Sequence, residues 1–168
     1  YQVPRAHQVP VRASLPRTDS SLRPWRTVRD ALADLPAPGK DGTPGILDHR
    51  FQPGARSYPG HTGSYIDAPT KALKAGVHGV PGGENMMRFH DGSVRYFSLR
   101  EAARMQTFPD SYRLHGAWSE AMRQLGNAVP VMLAETVALS VREHLELATA
   151  RQEFKKAVST GSHLKAIS

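Results

Sequence analysis

The sequence contains no cysteine. This absence excludes a disulfide framework, a thiol-based metal site and a cysteine nucleophile anywhere in the chain. Long apolar runs and a signal-peptide pattern are also lacking, so we expect a soluble cytoplasmic protein with no membrane segment. No pair of histidines has a spacing typical of metal ligands, and we therefore expect no bound metal.

Acidic residues are scarce beside basic ones. The 168-residue chain has 22 Lys and Arg against 15 Asp and Glu, which is a formal net charge of +7. This excess favours a polyanionic partner, although a merely basic soluble domain would have the same composition. The length allows one domain with a sizeable core. Because the chain begins at Tyr1 and not at Met, we expect it to be a piece of a longer translated product.

The stretch that starts at Ser98 predicts a short capped helix. Ser98 and Glu101 have the spacing of a capping box, in which the hydroxyl and the carboxylate each accept from the other residue's backbone N–H. The helix then runs to Gln106. It ends at Phe108, because a residue that precedes proline is pushed out of the helical region.

A second helix is predicted to close at Gly126, and a long third helix to begin at Pro130. Asn127 between them is a residue type that tolerates unusual backbone angles. Proline fits the first position of a helix, and the free N–H groups there can bind an anion. The long helix is predicted to reach about Ser159 and to bury one apolar face in the core. That face consists of Leu133, Ala134, Val137, Ala138, Val141, Leu145 and Ala148.

Two patterns in this region resemble the ninth and tenth conserved motifs of the DNA cytosine-5 methyltransferases. Arg95 to Tyr112 reads R-x-x-S-x-R-E-x-A-R-x-Q-T-F-P-D-x-Y, and Gln124 to Pro130 reads Q-L-G-N-A-V-P. Both stand in the family's order at a plausible spacing. The matching residues with structural roles are Ser98, Arg100, Glu101, Arg104, Gln106, Gln124, Gly126 and Pro130.

The resemblance implies an α/β fold. The chain would be the C-terminal part of a Rossmann-like methyltransferase, with an irregular, partly β target recognition region and C-terminal helices. Residues 1–36 would hold a degenerate eighth motif and a leading helix, 37–93 the recognition region, 94–159 the ninth and tenth motifs with the final helix, and 160–168 a tail. The eighth motif keeps Tyr1, Val3 and Pro4 but has Arg5, His7 and Val9 where the family has Gln, Arg and Arg.

The leading helix is predicted between Trp25 and Pro36, with Thr27 and Asp30 at its N-cap. The recognition region that follows is rich in Gly and Pro, which indicates loops with a few short strands. Asp67–Lys74 is expected to form one strand or a turn and a strand. Composition alone also allows a structureless insertion. On the resemblance, we expect DNA contacts from basic and aromatic residues of these loops: Arg56, Tyr58, His61, Lys71, Lys74 and His78.

The resemblance also shows which parts of the reaction are missing. The family uses a thiolate from a Pro-Cys-Gln loop, a glutamate from Glu-Asn-Val and a glycine-rich turn for S-adenosylmethionine, and none of these occurs here. Glu84-Asn85 is followed by Met86, and we interpret it as a turn in a glycine-rich loop. No catalytic residue is therefore assigned. Asn127, Ala128 and Val129 are expected to form one wall of the cofactor pocket.

Three hypotheses follow from these residues. The chain is the C-terminal part of a methyltransferase, cut or naturally split from an N-terminal part that carries the thiol and the cofactor turn. Alternatively, it is a stand-alone module that binds double-stranded DNA, or an inactive remnant. In each case of DNA binding we expect a cytoplasmic, nucleoid-associated protein.

Overall fold

A computed structural model describes residues 24–75 and 83–165 of the chain. The elements are helices α1 (Val28–Leu32), α2 (Leu99–Met105), α3 (Trp118–Asn127) and α4 (Val131–Lys165), strands β1 (Ser64–Tyr65), β2 (Met86–Arg88) and β3 (Val94–Tyr96), and a 3₁₀ turn (Gly83–Asn85). The mixed α/β class with C-terminal helices is thus confirmed, whereas the Rossmann-like parent fold stays a prediction. The eighth-motif segment, His78 and residues 166–168 lie outside the described residues.

The three strands form one small sheet in the order β1-β2-β3. β1 runs parallel to β2, with Ser64 opposite Met87, and β2 pairs antiparallel with β3, with Met87 opposite Arg95. The strand predicted at Asp67–Lys74 is wrong, because this segment turns and then runs without pairing. The Ser64 hydroxyl accepts from the Lys71 N–H at 3.1 Å, which folds the segment back beside β1.

Capping boxes start both α1 and α2, where the sequence predicted an N-cap at Thr27 and a capping box at Ser98. The Thr27 and Ser98 hydroxyls accept from the backbone N–H three residues on, and the Asp30 and Glu101 carboxylates accept in return. α1 is shorter than predicted, because its C-cap is Ala33 and not a residue next to Pro36. Each box satisfies N–H groups that a helix start leaves without an intrahelical partner.

The hydrophobic core joins the elements on both sides of the recognition region. It consists of the buried side chains Val28, Leu73, Met87, Phe97, Ala102, Ala103, Met122 and Leu125. Residues from three of the four expected segments meet in this single cluster. The boundaries proposed from the sequence between those segments stay a prediction.

Helix α4 does not bury the apolar face that the sequence predicted as core. Every residue from Val131 to Ser159 is exposed, including Val137 at 55% and Leu145 at 62%. The face is uncovered because, among the described residues, no other element packs along the helix beyond its start. The helix also continues to Lys165, past the predicted end near Ser159. Within the described part of the chain, no helix is both long enough and apolar enough to cross a membrane.

Candidate functional site

The start of α2 is held by a largely buried ion pair, in which 19% of the Arg95 side chain and 2% of the Glu101 side chain are exposed. The Arg95 guanidinium donates to both Glu101 carboxylate oxygens at 2.6 Å, and the same carboxylate accepts from the Ser98 N–H at 2.8 Å. Glu101 therefore closes the capping box and joins β3 to α2 at once. Losing one partner of such a buried pair is expected to be strongly destabilising. We call Arg95, Ser98, Arg100 and Glu101 the motif-nine hub.

Arg100 is completely buried and uses its guanidinium to hold two loops. It donates to the carbonyl oxygens of Leu47 at 3.0 Å, Pro109 at 3.1 Å and Tyr112 at 2.6 Å. The Asp48 carboxylate lies 3.4 Å away and supplies the opposite charge. These partners satisfy the charge that would otherwise be costly to bury. Arg100 is therefore a structural residue of the interior and not a solvated arginine on the helix surface.

Asp48 is a site residue that the sequence analysis missed. Its backbone has φ 57°, a left-handed conformation that Asp adopts more readily than most residues. Its carbonyl accepts from the Arg100 N–H at 3.0 Å, and its carboxylate accepts from the Leu114 N–H at 3.1 Å. Asp48 thus fastens the loop after α1 to α2 and to the segment that follows motif nine. Only its residue type could have hinted at this position.

His49 is a second missed residue, and it is buried beside the hub. Its Nε2 lies 2.8 Å from the Pro36 carbonyl, and its Nδ1 lies 2.8 Å from the Ser98 hydroxyl. Because a carbonyl only accepts, Nε2 carries the hydrogen, and the Ser98 hydroxyl donates to Nδ1 in the neutral ring. A lone histidine in a loop has no sequence signal for this bridge.

Arg104 connects α2 to the end of α1 and to the loop that follows α2 within motif nine. It forms ion pairs with Asp34 and Asp110 at 2.5 Å, and it also donates to the Ala31 carbonyl at 3.3 Å. The hydrogen bonds that Arg104 donates to the Asp110 and Asp34 carboxylates raise the pKa of Arg104. In return, the Arg104 hydrogen bonds hold the pKa of both carboxyls below their usual range.

The turn of motif ten differs from its prediction in detail. α3 includes Gly126 and Asn127, and the chain leaves the helix at Ala128, which has φ −75° and ψ 145°. Asn127 therefore keeps a helical backbone and not an unusual one. Gly126 is needed for a different reason than closing the helix. A Cβ there would lie 2.8 Å from the Lys74 carbonyl carbon and 2.9 Å from the Ala75 nitrogen.

The start of α4 is occupied by the chain itself, which corrects the expected anion site. The Val131 N–H donates to the Gln106 carbonyl at 3.0 Å, and the Met132 N–H donates to the Thr107 hydroxyl at 2.9 Å. The Gln106 side chain donates to the Leu125 carbonyl at 2.8 Å. These contacts place the end of motif nine directly against motif ten.

The three residues expected to face the cofactor form an open edge. Asn127 and Val129 are exposed, Val129 at 60%, and Ala128 is half-buried. Within the described ranges, the Asn127 amide has no hydrogen-bond partner, so it is available to a ligand. Gln124 is exposed and donates to Glu120 at 3.3 Å. Pro130 carries the carbonyl that accepts the first α4 hydrogen bond, from Ala134.

Two of the expected DNA contacts meet in one tight turn, Tyr58–His61, which we call the recognition hairpin. Its two end residues exchange backbone hydrogen bonds at 2.8 and 3.3 Å, and their rings stack with centroids 4.3 Å apart. Gly60 at the third position has φ 84°, as a type II turn with proline at its second position requires. The stack holds both rings at the surface.

The remaining expected DNA contacts are spread over two places. Arg56 is exposed two residues before the recognition hairpin, and the Lys71 ammonium donates to the Thr62 hydroxyl at 3.2 Å. Lys74 lies against α3 instead, and its N–H donates to the buried Asn85 side chain at 3.1 Å. Asn85 thus has a structural contact at the end of the 3₁₀ turn, consistent with interpreting Glu84-Asn85 as a turn.

An exposed polar network at the sheet was not expected from the sequence. The Tyr65 hydroxyl contacts His90 Nδ1 at 2.6 Å, His90 Nε2 contacts Asp67 at 2.7 Å, and Arg29 contacts Asp67 at 2.5 Å. The Arg29 hydrogen bond lowers the pKa of the Asp67 carboxyl. The network ties the hairpin between β2 and β3 to α1.

A cleft of about 1180 Å³ opens beside the hub, between residues 40–53 and the start of α3. Lys40 and Arg50 supply positive charge to its wall, and Phe51 and Trp118 supply aromatic surface. The Trp118 indole is fixed by donating to the Phe97 carbonyl at 3.0 Å. Among the described residues, no cluster of His, Cys, Asp and Glu could hold a metal ion.

Comparison with known families decides what this arrangement belongs to. The model of the C-5 cytosine-specific DNA methylases matches residues 47–143. The chain belongs to this family. The match begins at Leu47, whose carbonyl accepts a hydrogen bond from Arg100, and it ends within α4. It therefore includes the hub, the recognition hairpin and the turn of motif ten, and the resemblance drawn from the two motifs is confirmed.

Relatives of this methylase chain include bacterial and animal methyltransferases. It is 32% identical over 122 residues to the type II methyltransferase M.AplI of Arthrospira platensis, a match that covers 71% of this chain and 35% of the relative. It is 47% identical to the type II methyltransferase M.AgeI of Thalassovita gelatinovora, over 32% of this chain and 12% of the relative. It is 42% identical to DNA (cytosine-5)-methyltransferase 1 of Mus musculus, a match that covers 46% of this chain and 5% of the relative. The chain thus spans about a third or less of these relatives.

Proposed function

We propose that this chain supplies DNA recognition and one wall of the cofactor pocket for methyl transfer to cytosine in DNA, and that it is not catalytic alone. The observation that carries the proposal is the turn Asn127–Val129 joined to a helix whose apolar residues are exposed throughout. A turn and a helix that are exposed in this way are suited to pack against a second part of the protein. That part would be the N-terminal portion of the enzyme.

The absence of cysteine supports the proposal that two parts of the protein share the reaction. Cytosine C5 is too weak a nucleophile to take a methyl group directly, so a thiolate must first add to C6. The target base must also leave the duplex to be reached. A chain without cysteine cannot supply that thiolate. The N-terminal part would therefore carry the nucleophile, and this chain would hold the substrate and the cofactor in place.

The exposed edge of motif ten fits one side of S-adenosylmethionine, which supplies the methyl group when bound. The Asn127 amide can donate to and accept from the ligand's polar groups, because it has no partner among the described residues. Val129 beside it offers apolar surface. Asn127→Ala should weaken cofactor binding and leave DNA binding largely intact.

Helix α4 would dock on the N-terminal part through one of its apolar sides. We call the exposed residues Leu133, Val137, Val141 and Leu145 the α4 stripe, and they repeat at the spacing of one helix face. Burying each of these side chains would contribute about 1.5–3 kcal/mol. The stripe is long enough to anchor a whole helix on the parallel sheet that the family resemblance implies.

DNA would be read from the recognition hairpin and its surroundings. Tyr58 and His61 present a stacked pair of rings, and Arg56 and Lys71 add charge nearby in the chain. Rings and cations of this kind contact bases and phosphates. The net charge of +7 adds a sequence-independent attraction. The family places its recognition residues in this region of the chain, which supports the assignment.

A second candidate function is a non-catalytic DNA-binding module. It is favoured by the core, which closes around Phe97 and Met122 without any contribution from another part. Such a chain would bind DNA but would have no use for the exposed edge of motif ten. Cofactor binding in the presence of an N-terminal part separates the two functions.

The test is a methyl-transfer assay on duplex DNA with labelled S-adenosylmethionine. We would assay this chain, the N-terminal part and their mixture, and we expect transfer only in the mixture. A mixture in which the nucleophilic cysteine is replaced by serine is the control for background labelling. Transfer by this chain alone would refute the proposal, and DNA binding with no transfer in the mixture would favour the second function.

A further inference from the structure

Thr107 has a backbone conformation that its side chain disfavours. Its φ is 58°, and a β-branched residue in this left-handed region is a genuine outlier. Such a strained position persists only where surrounding contacts determine it, and it often marks a function. Thr107 lies between α2 and the loop that precedes α3, so the strain is located where motif nine meets motif ten.

The Thr107 hydroxyl caps a helix that lacks a cap of its own. Pro130 precedes α4, and proline has no side-chain oxygen that could accept from the first N–H groups. The Thr107 hydroxyl accepts from the Met132 N–H at 2.9 Å instead, across 25 residues of chain. The neighbouring Gln106 carbonyl accepts from the Val131 N–H at 3.0 Å. Two successive residues of motif nine thus replace a local N-cap.

The same two residues also reach the other end of the turn. The Gln106 side chain donates to the Leu125 carbonyl at 2.8 Å, near the end of α3. The chain is therefore held at Leu125 on one side and at Val131 and Met132 on the other. Between these points lie Asn127–Val129 and Pro130. Their position depends on contacts from residues that never touch the open edge.

We propose that Thr107 is a positioning residue for the cofactor edge of motif ten. Its hydroxyl sets where α4 begins and thereby where Asn127 and Val129 stand. The left-handed backbone is retained because it points the hydroxyl at the Met132 N–H. The link to the cofactor rests on the proposed function, whereas the cap across the chain does not.

Three substitutions separate the hydroxyl from the strain. Thr107→Val keeps the shape and the β-branch but removes the acceptor, and Thr107→Ser keeps the hydroxyl. Thr107→Gly relieves the strain and also removes the acceptor, so it keeps the test available if the valine variant does not fold. Thr149→Val is the control, because the Thr149 hydroxyl donates to the Leu145 carbonyl within α4 and has no other hydrogen bond to the described residues.

The first measurement is amide hydrogen exchange at Met132 in this chain combined with the N-terminal part. Without the acceptor, exchange should be roughly fivefold faster in Thr107→Val and Thr107→Gly, which corresponds to one lost hydrogen bond. Thr107→Ser and Thr149→Val should exchange as the parent does. Unchanged exchange at Met132 in both acceptor-free variants would overturn the cap.

The second measurement is the KM for S-adenosylmethionine in the same assembly. We expect it to rise roughly fivefold in the acceptor-free variants, with the KM for DNA and kcat unchanged and with serine restoring the parent value. Faster exchange with an unchanged cofactor KM would overturn the positioning role. If Asn127→Ala also left cofactor affinity unchanged, the cofactor wall in the proposed function would itself be wrong.

Discussion

Arg100 in the motif-nine hub is completely buried, whereas Leu145 on α4 is 62% exposed. The usual placement of charged and apolar side chains is thus reversed between these two regions. Arg100 is buried at an acceptable free energy because three carbonyl oxygens and Asp48 accept its hydrogen bonds. Leu145 is exposed because no described element covers it. The hub is therefore complete within the described residues, whereas α4 is the helix that we propose docks on a second part.

The two regions should respond to mutation in opposite ways. Changes in the hub should alter the free energy of unfolding of this chain by itself. Changes on α4 should alter only what the chain does with another part. The following predictions test this contrast in order of decreasing effect on the stability of the chain.

Arg100→Leu should have the largest effect. It removes the donor to the Leu47, Pro109 and Tyr112 carbonyls and leaves Asp48 without its opposite charge, so we expect a loss of about 3–5 kcal/mol. Urea unfolding followed by circular dichroism measures it. Arg142→Leu is the matched control on α4. Its pair with Glu146 is exposed and 3.6 Å long, so its loss should change stability by less than about 1 kcal/mol. Equal effects of the two variants would contradict the contrast.

Gly126→Ala should have the next largest effect on the free energy of unfolding. An added Cβ would lie 2.8–2.9 Å from the Lys74 and Ala75 backbone, so the segment must shift, with a loss of about 1–3 kcal/mol. The informative result is whether the free energy of unfolding falls or rises. In an uncrowded helix, replacing glycine with alanine would stabilise by about 1 kcal/mol. A higher unfolding midpoint would therefore show that the segment does not pass so close.

The Arg104 ion pairs should give a smaller, pH-dependent effect. Arg104 lowers the pKa of Asp34 and Asp110 below the ordinary value of 3.8. Their contribution is therefore present above that value and is lost as the pH falls through the lowered pKa values. In Arg104→Gln this contribution is missing.

The midpoint of thermal unfolding, measured from neutral pH downward, tests this effect. The difference between the parent and Arg104→Gln should shrink as the pH falls below 3.8. A difference that stayed constant over this range would mean that Arg104 acts through packing or through its bond to the Ala31 carbonyl, and not through the carboxylates.

Leu145→Asp on the α4 stripe should have the smallest effect on this chain. The side chain is already in water, so the free energy of unfolding should change by less than about 0.5 kcal/mol. In the mixture with the N-terminal part, methyl transfer at limiting chain concentration should fall at least about tenfold, because a charge would enter the interface. Ser140→Asp, at an exposed polar position of the same helix, tests whether added charge alone is responsible. Equal losses from both variants would remove the stripe from the interface.

Much of the local structure could be predicted because its causes lie within a few residues. The capping boxes at Thr27 and Ser98 depend on a hydroxyl and a carboxylate three positions apart. The order of the helices was also predicted correctly. The strand at Asp67–Lys74 was not, because the Ser64 hydroxyl and the turn at Ala68 override what the segment prefers alone.

The candidate site was predicted in part for the same reason. The two motifs identified the residues around it, but they carried no information about which partners these residues meet. Asp48 and His49 reach the hub from about fifty positions earlier in the chain. The sequence identified Thr107 only as one residue of motif nine. Its strained backbone and its bond to Met132 are products of packing.

By itself, the sequence determined that this chain has no thiol, that a capped helix begins within the first of two motifs of the cytosine methylases, and that α4 carries apolar residues at helical spacing. These properties depend on residue type and on short spacings. Only the tertiary structure decided that Arg100 is buried, that Gly126 is crowded, that Thr107 caps a helix across the chain and that the α4 residues are uncovered. Burial and hydrogen-bond partners arise where distant segments meet, and no local pattern records which segments those are.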